Sequence, residues 1–176
     1  MEATLSFEGA SVETQDGKHL VFLLGGSGYG IPILEVSEIN GLMDITPVPK
    51  MPSYIKGVIN LRGKVIPVMD LRLKFGMPPK EYDEQTCIII VNLSIGKKIK
   101  QMGVLVDTVS EVFDIPLSEI EAPPNYGDDS EGFLNGIGKV KGKLVMLLNI
   151  EKVLHTDEII KILDKKDCTE NTEEGV

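Results

Sequence analysis

Residues 54–71 read Tyr54-Ile55-Lys56-Gly57-Val58-Ile59-Asn60-Leu61-Arg62-Gly63-Lys64-Val65-Ile66-Pro67-Val68-Met69-Asp70-Leu71. The same design returns 79 positions later as Phe133-Leu134-Asn135-Gly136-Ile137-Gly138-Lys139-Val140-Lys141-Gly142-Lys143-Leu144-Val145-Met146-Leu147-Leu148-Asn149-Ile150. Each copy is two runs of alternating apolar residues around a glycine-bearing turn, the pattern of a β-hairpin. Upstream, Gly30-Ile31-x-Ile33-x-x-Val36-Ser37-Glu38-Ile39 returns 73 positions later as Gly103-Val104-x-Val106-x-x-Val109-Ser110-Glu111-Val112. One block alone could be ordinary hairpin chemistry. Two blocks in the same order favour an internal duplication, with a six-residue insertion in the second copy accounting for the change of offset.

Around these blocks the chain reads as mainly β. Val and Ile number 16 and 19 of 176 residues and fall in short runs parted by Gly, Pro, Asn and Asp. Strands are expected at His19–Leu24, Tyr29–Ile33, Leu42–Thr46, Gly57–Leu61, Lys64–Met69, Thr86–Leu93, Lys100–Val106, Val109–Ile115, Gly136–Val140 and Lys143–Asn149. Helical turns are expected at Val36–Ile39 and Leu71–Phe75. Thr156 is the expected N-cap of a C-terminal helix over 156–164, with Ile159, Ile160, Ile162 and Leu163 as its apolar stripe. About five strands per copy are few enough that each sheet must curl to hide its edges, giving two five-stranded barrels packed side by side. The expected layout is a mobile N-terminal arm at 1–17, paired barrels over 18–155 with approximate copies 18–84 and 85–154, the terminal helix, and a mobile tail at 165–176. A groove at the seam of such a pair suits a helix or helical hairpin from a partner.

Composition narrows the function classes. With 18 basic against 27 acidic residues the formal charge is −9, which repels phosphodiester backbones, and the Lys97-Lys98-Ile99-Lys100 cluster lacks interleaved aromatics, so nucleic acid is not the expected partner. The longest unbroken apolar runs, Leu20–Leu24, Cys87–Val91 and Leu144–Leu148, are five residues each, against the ~20 that a bilayer span needs. The N-terminus carries no signal-like pattern, so a cytosolic location without direct membrane contact is expected. Cys87 and Cys168 have no partner spacing for a metal or a disulfide.

Chemistry-bearing motifs are sparse. Gly25-Gly26-Ser27-Gly28-Tyr29-Gly30 fits neither phosphate-binding glycine pattern and reads as a hairpin turn. His19 and His155 read as surface or boundary residues; Glu38, Asp70, Asp107 and Glu111 stand as candidates for paired acid–base work, against the ordinary reading of acidic residues as solvated surface. No motif asks for a metal, a cofactor or a catalytic residue. The turn Asn60-Leu61-Arg62-Gly63 differs, because only Arg62 and Arg72 among the basic residues are arginine. Arginine's planar fork serves interfaces better than lysine does, so Arg62 is expected to organise a binding surface, pairing with Glu38. Tyr126, on the Pro-rich loop Ala122-Pro123-Pro124-Asn125-Tyr126-Gly127, is either an interface anchor or a cap on its own barrel.

The three blocks Tyr29–Ile39, Ile55–Arg72 and Gly103–Val112 resemble the CheW family of bacterial chemotaxis adaptors, and the resemblance runs from about Lys18 to Leu154. It implies two five-stranded SH3-like barrels and a non-enzymatic adaptor bridging the cytoplasmic tip of methyl-accepting receptors to the regulatory domain of the histidine kinase CheA. On the matching positions it implies that Val36, Glu38, Ile39, Gly57, Asn60 and Arg62 belong to or support the receptor-facing surface. Tyr126 falls near a segment that in the family faces the kinase. The alternative implied is a diverged domain of this kind scaffolding another two-component pathway.

Overall fold

The computed structural model describes residues 17–122, 133–154 and 161. Alternating Val, Ile and Leu draw these residues into strands β1 (Lys18–Leu24), β2 (Ser27–Pro32), β3 (Val36–Gly41), β4 (Ile55–Leu61), β5 (Lys64–Asp70), β6 (Cys87–Ile95), β7 (Lys98–Val106), β8 (Thr108–Asp114), β9 (Ile120–Glu121), β10 (Leu134–Val140) and β11 (Lys143–Leu148). Two short helices follow the repeated hairpins, α1 (Leu71–Lys74) and α2 (Ile150–Leu154). Asp70 caps the first by accepting the Arg72 and Leu73 amides, and Asn149 caps the second by accepting the Lys152 amide at 3.2 Å.

The strands form a six-stranded sheet in the order β8-β1-β2-β11-β10-β9 and a five-stranded sheet in the order β3-β6-β7-β5-β4. Sheets and sequence copies do not coincide. Each sheet takes the first hairpin of one copy and the later strands of the other. The exchange obeys the repeat throughout: β2 runs parallel to β11 with Gly30 beside Leu147, and β7 runs parallel to β5 with Gly103 beside Val68. Those partners are the pairs offset by 73 and 79 residues. The mainly β, SH3-like class read from the sequence is the observed one, with the two-residue β9 as an added sixth strand.

The core explains why the hairpins cross over. On β6, Ile88 and Ile90 face the interior of the five-stranded sheet, while Ile89, Val91 and Leu93 join Leu20, Phe22 and Leu24 of β1 in a core shared between the two sheets. Val21 points the other way, into the six-stranded sheet with Ile115, Val145 and Leu147. The first strand of each copy is therefore buried on both faces, which is why its sequence is a continuous apolar run rather than an alternation. Each buried aliphatic side chain removed from water contributes about 1.5–3 kcal/mol.

Two expectations are corrected. Val36–Ile39 is not a helical turn: the 3-10 turn lies at Ile33–Glu35, and Val36 begins β3. Leu42–Thr46 is not a strand. Past Gly41 the chain leaves the sheet and returns with a single bridge, Thr46 to Val58, because the Pro47 and Pro49 that follow have no amide to extend a ladder. The arm up to residue 16, Tyr126, His155, Cys168 and, residue 161 apart, the expected helix 156–164 and tail 165–176 lie outside the described residues.

Gly57 shows how tightly that bridge is drawn. Its φ is +141°, and a Cβ there would lie 2.1 Å from the Thr46 carbonyl oxygen, which itself accepts the Val58 amide at 2.9 Å. Gly57→Ala is expected to destabilise the chain by about 2–4 kcal/mol in urea unfolding, through clash and backbone strain together. Gly63→Ala, whose Cβ would meet nothing within 4 Å, is expected to cost only about 1 kcal/mol, through its left-handed backbone.

Candidate functional site

The β4–β5 turn is a two-residue hairpin in which both central residues are left-handed, Arg62 with φ +53° and Gly63 with φ +87°. Asn60 secures it by accepting the Gly63 amide on Oδ1 at 2.8 Å. The turn thereby lifts the Arg62 side chain clear of the sheet, 71% exposed. Its guanidinium nevertheless has a partner, since Nη2 donates to Glu38 Oε2. Glu38 also accepts from Asn40 Nδ2 at 3.2 Å. The Arg62 hydrogen bond, with that of Asn40, holds the Glu38 carboxyl below the usual carboxylate range.

This pair joins places far apart in the ladder. β3 and β4 are the two edges of the five-stranded sheet, so the Glu38–Arg62 bridge ties one edge strand to the turn that ends the other. Behind it runs a polar row: Lys64 Nζ donates to Gln101 Oε1 at 3.1 Å, and Gln101 Nε2 donates to Ser37 Oγ at 3.1 Å. The result is a surface of fixed charged and amide groups; Ile39, next to Glu38 on β3, is 42% exposed and points to the opposite face of that strand.

Each residue singled out from sequence has a distinct place here. Glu38, Asn60 and Arg62 form the polar face, and Ile39 stands beside them on β3. Val36 is half buried and packs against the shared core beneath. Gly57 is buried and acts through the backbone of β4. Tyr126 lies outside the described residues. Of the other carboxylates, Asp70 caps α1 and accepts the Tyr82 hydroxyl at 2.7 Å, and Glu111 is exposed. His19 is buried and its ring bonds the Gly17 carbonyl at 3.1 Å.

The second copy has not kept the tie. Its turn repeats the geometry with Lys141 at φ +52° and Gly142 at φ +80°, but the Lys141 ammonium lies over the Phe113 ring, 5.3 Å from the centroid. Lys139 faces Glu121 at 3.7 Å. Duplication supplied the scaffold twice and the Arg–Glu pair once.

Sequence reasoning missed the second arginine. Arg72 Nη1 bonds Asp107 Oδ2 at 2.7 Å, with both side chains largely sheltered at 13% and 15% exposure. Its Nε donates to the Pro78 carbonyl at 3.0 Å, and Asp107 also accepts the Gly25 amide at 2.9 Å. Asp107 stands where the chain passes from β7 in one sheet to β8 in the other, so this pair clamps the junction of the sheets. The scarcity of arginine that marked Arg62 was equally a signal for Arg72. A shallow open hollow of about 460 Å³ lies beside β4, lined by Leu42, Met43, Asp44, Ile45, Pro47, Lys56 and Tyr82. Among the described residues no helix is long and apolar enough to cross a membrane.

Residues 18–158 match the CheW-like domain. The chain is similar to chemotaxis protein CheW of Klebsiella aerogenes, 37% identical over 148 residues that cover 84% of this chain and 87% of that one. It is similar to chemotaxis protein CheW of Bacillus subtilis, 35% identical over 82% of this chain and 90% of the relative, and to protein FrzA of Myxococcus xanthus, 34% identical over 77% and 83%. Among solved structures, the crystal structure of scaffolding protein TtCheW from Thermoanaerobacter tengcongensis superposes with a TM-score of 0.72 at 34% identity, covering 81% of this chain and 94% of that one.

The two arginines are expected to respond differently to removal. Arg72→Ala leaves Asp107 sheltered without its cation and should destabilise the chain by about 2–3 kcal/mol in urea unfolding. Arg62→Ala, at an exposed pair, should barely move the same midpoint.

Proposed function

The chain belongs to the CheW-like domain family, and from that premise we propose that it is a non-enzymatic adaptor coupling methyl-accepting chemotaxis receptors to the histidine kinase CheA within receptor–kinase arrays. The observation that carries this reading is the Glu38–Arg62 tie: a charged pair left on the surface, at positions the family resemblance assigns to the receptor. Asn60 and Gly57 hold the turn and strand that present it, and Val36 supports β3 from below. The receptor's helical hairpin would lie against this face, at the edge of the five-stranded sheet.

The kinase's regulatory domain would be met through apolar strand edges. Val112 on the β8 edge is 45% exposed, and Leu144, beside the β10–β11 turn, is 62% exposed. Tyr126 would add to that contact. An adaptor transmits receptor state only if its contacts with both partners differ in free energy between states. Contacts made and broken within an array suit modest affinities, with Kd of about micromolar, and the lattice supplies the remainder through multivalency. The protein would act in the cytoplasm, reaching the membrane only through receptors. Similarity to FrzA, a relative that carries a different name, favours one second reading, a scaffold of the same kind in another two-component pathway.

Reconstituted receptor-dependent kinase activation separates the two surfaces. Arg62→Ala is expected to lower activation at least ~10-fold while leaving the Kd for the isolated kinase regulatory domain unchanged in calorimetry. Tyr126→Ala is expected to do the reverse, weakening the kinase and sparing receptor binding. Full activation by Arg62→Ala would overturn the assignment of its surface.

A further inference from the structure

The expectation of a surface or boundary position does not hold for His19, which is only 6% exposed. The internal repeat identifies what has changed there. Val21 pairs with Gly30 in one hairpin as Ile90 pairs with Gly103 in the other, and His19 pairs with Pro32 as Ile88 pairs with Leu105. His19 therefore holds the place of Ile88, a fully buried residue inside the five-stranded sheet. At the neighbouring edge strand the exchange is reversed: Ile88 stands opposite Asn40 on β3, and His19 stands opposite Phe113 on β8. One half keeps its polar residue at the rim, and the other has it inside.

The imidazole is tied to the end of β8. Its Nδ1 donates to the Gly17 carbonyl at 3.1 Å, and the same carbonyl accepts the Ile115 amide at 2.6 Å. Strand alternation puts His19 on the face of Val21, which packs with Ile115, Val145 and Leu147. On β1 itself, Lys18 is the adjacent ionisable group. On β8, Glu111 is exposed, and Asp114, the register partner of Lys18, is the group whose charge bears on the imidazole. Tyr29 of β2 sets its ring against Phe22 and Phe75 in the shared core, on the other face of the sheet. On the β10–β11 hairpin, Lys139 faces Glu121, Lys141 lies over Phe113 and Lys143 is exposed.

We propose that His19 is an acid-operated latch on the β8 edge, packing that edge down while the imidazole is neutral and releasing it when a proton is added. With Nδ1 already donating, the added proton goes to Nε2 and leaves a cation on a face of aliphatic side chains. Hydrating that cation requires a path to water. The β2 and β11 sides are core, so the strand that yields is the edge strand β8, and the Lys141–Phe113 contact goes with it. Burial lowers the His19 pKa from the ordinary 6.5, against the Gly17 hydrogen bond and the Asp114 charge, which raise it. Because the folded value is the lower one, the stabilisation is complete above about pH 6.5 and is lost as pH falls through the folded value. Ile88 takes up no proton, so the five-stranded sheet has no such response at the matching place. The inference concerns the free chain and holds whatever its partners are.

The test is an NMR titration of the imidazoles in the full chain from about pH 8 to 5, with His155→Gln to assign the two, alongside urea unfolding of wild type and His19→Ile over the same range. His19 should titrate below 6.5. The amide signals of Phe113, Asp114 and Ile115 should move with the same midpoint, while that of Asn40 stays in place. Asp114→Asn removes the charge that favours the imidazolium and should lower the His19 midpoint further. As pH falls across the range, the wild-type unfolding constant should rise at least ~3-fold more than that of His19→Ile, which restores the residue type of the other half. Titration of His19 at or above 6.5, β8 signals that do not follow it, or a pH dependence that His19→Ile leaves intact, would overturn the proposal.

Discussion

Two parallel strand contacts, Gly30 beside Leu147 and Gly103 beside Val68, hold the architecture together. Each completes a sheet with a hairpin borrowed from the other sequence copy. The borrowed strands β1 and β6 are apolar on both faces, and Ile88, Ile89, Ile90 and Val91 are all 0% exposed. A copy folded alone would lack the strand that fills its sheet and would leave such a run in water. The seam between the sheets is consequently core, packed as an interior, rather than a docking surface between independent domains.

A rigid seam leaves the surface chemistry to a few polar groups at its margins. The two arginines of the chain both serve as ties. Arg72 is sheltered and joins the sheets, so its value is in stability. Arg62 is exposed and bridges the open edges of one sheet, where an ion pair contributes little to stability but fixes the direction of a charged surface. The halves have diverged at both places. Lys141 replaces the Arg62 tie with a ring contact, and Glu151 stands where Arg72 would be. A duplicated fold has become two unlike faces.

Much of this was legible in the residues. The offsets of 73 and 79 identify the repeated hairpins, and they carry the Gly30–Leu147 contact of one sheet onto the Gly103–Val68 contact of the other. Arginine scarcity pointed to Arg62, and the segment around Glu38 supplied its partner. Other features were hidden for physical reasons. A strand's apolar pattern records that both faces are buried but not which sheet covers them, so the exchange of hairpins could not be read. β3, Val36–Gly41, has the half-buried, polar-rich pattern of an edge strand with a 3-10 turn just before it, which makes Val36–Ile39 read as a turn. Leu42, Met43 and Ile45 looked like a strand because they are apolar, yet Met43 and Ile45 pack against the core from a loop. The Arg72–Asp107 pair spans 35 residues and three segments, and no local pattern announces it.

The central claim is that the face built by β3 and the β4–β5 turn meets the receptor. Adding a receptor cytoplasmic hairpin fragment to the isotopically labelled chain and mapping amide shifts tests it most directly. The account predicts perturbations centred on Val36, Glu38, Ile39, Asn60 and Arg62, with the Val112 and Leu144 side of the molecule unchanged. Shifts confined to Val112, Leu117 and Leu144, with Glu38 and Arg62 unmoved, would contradict it.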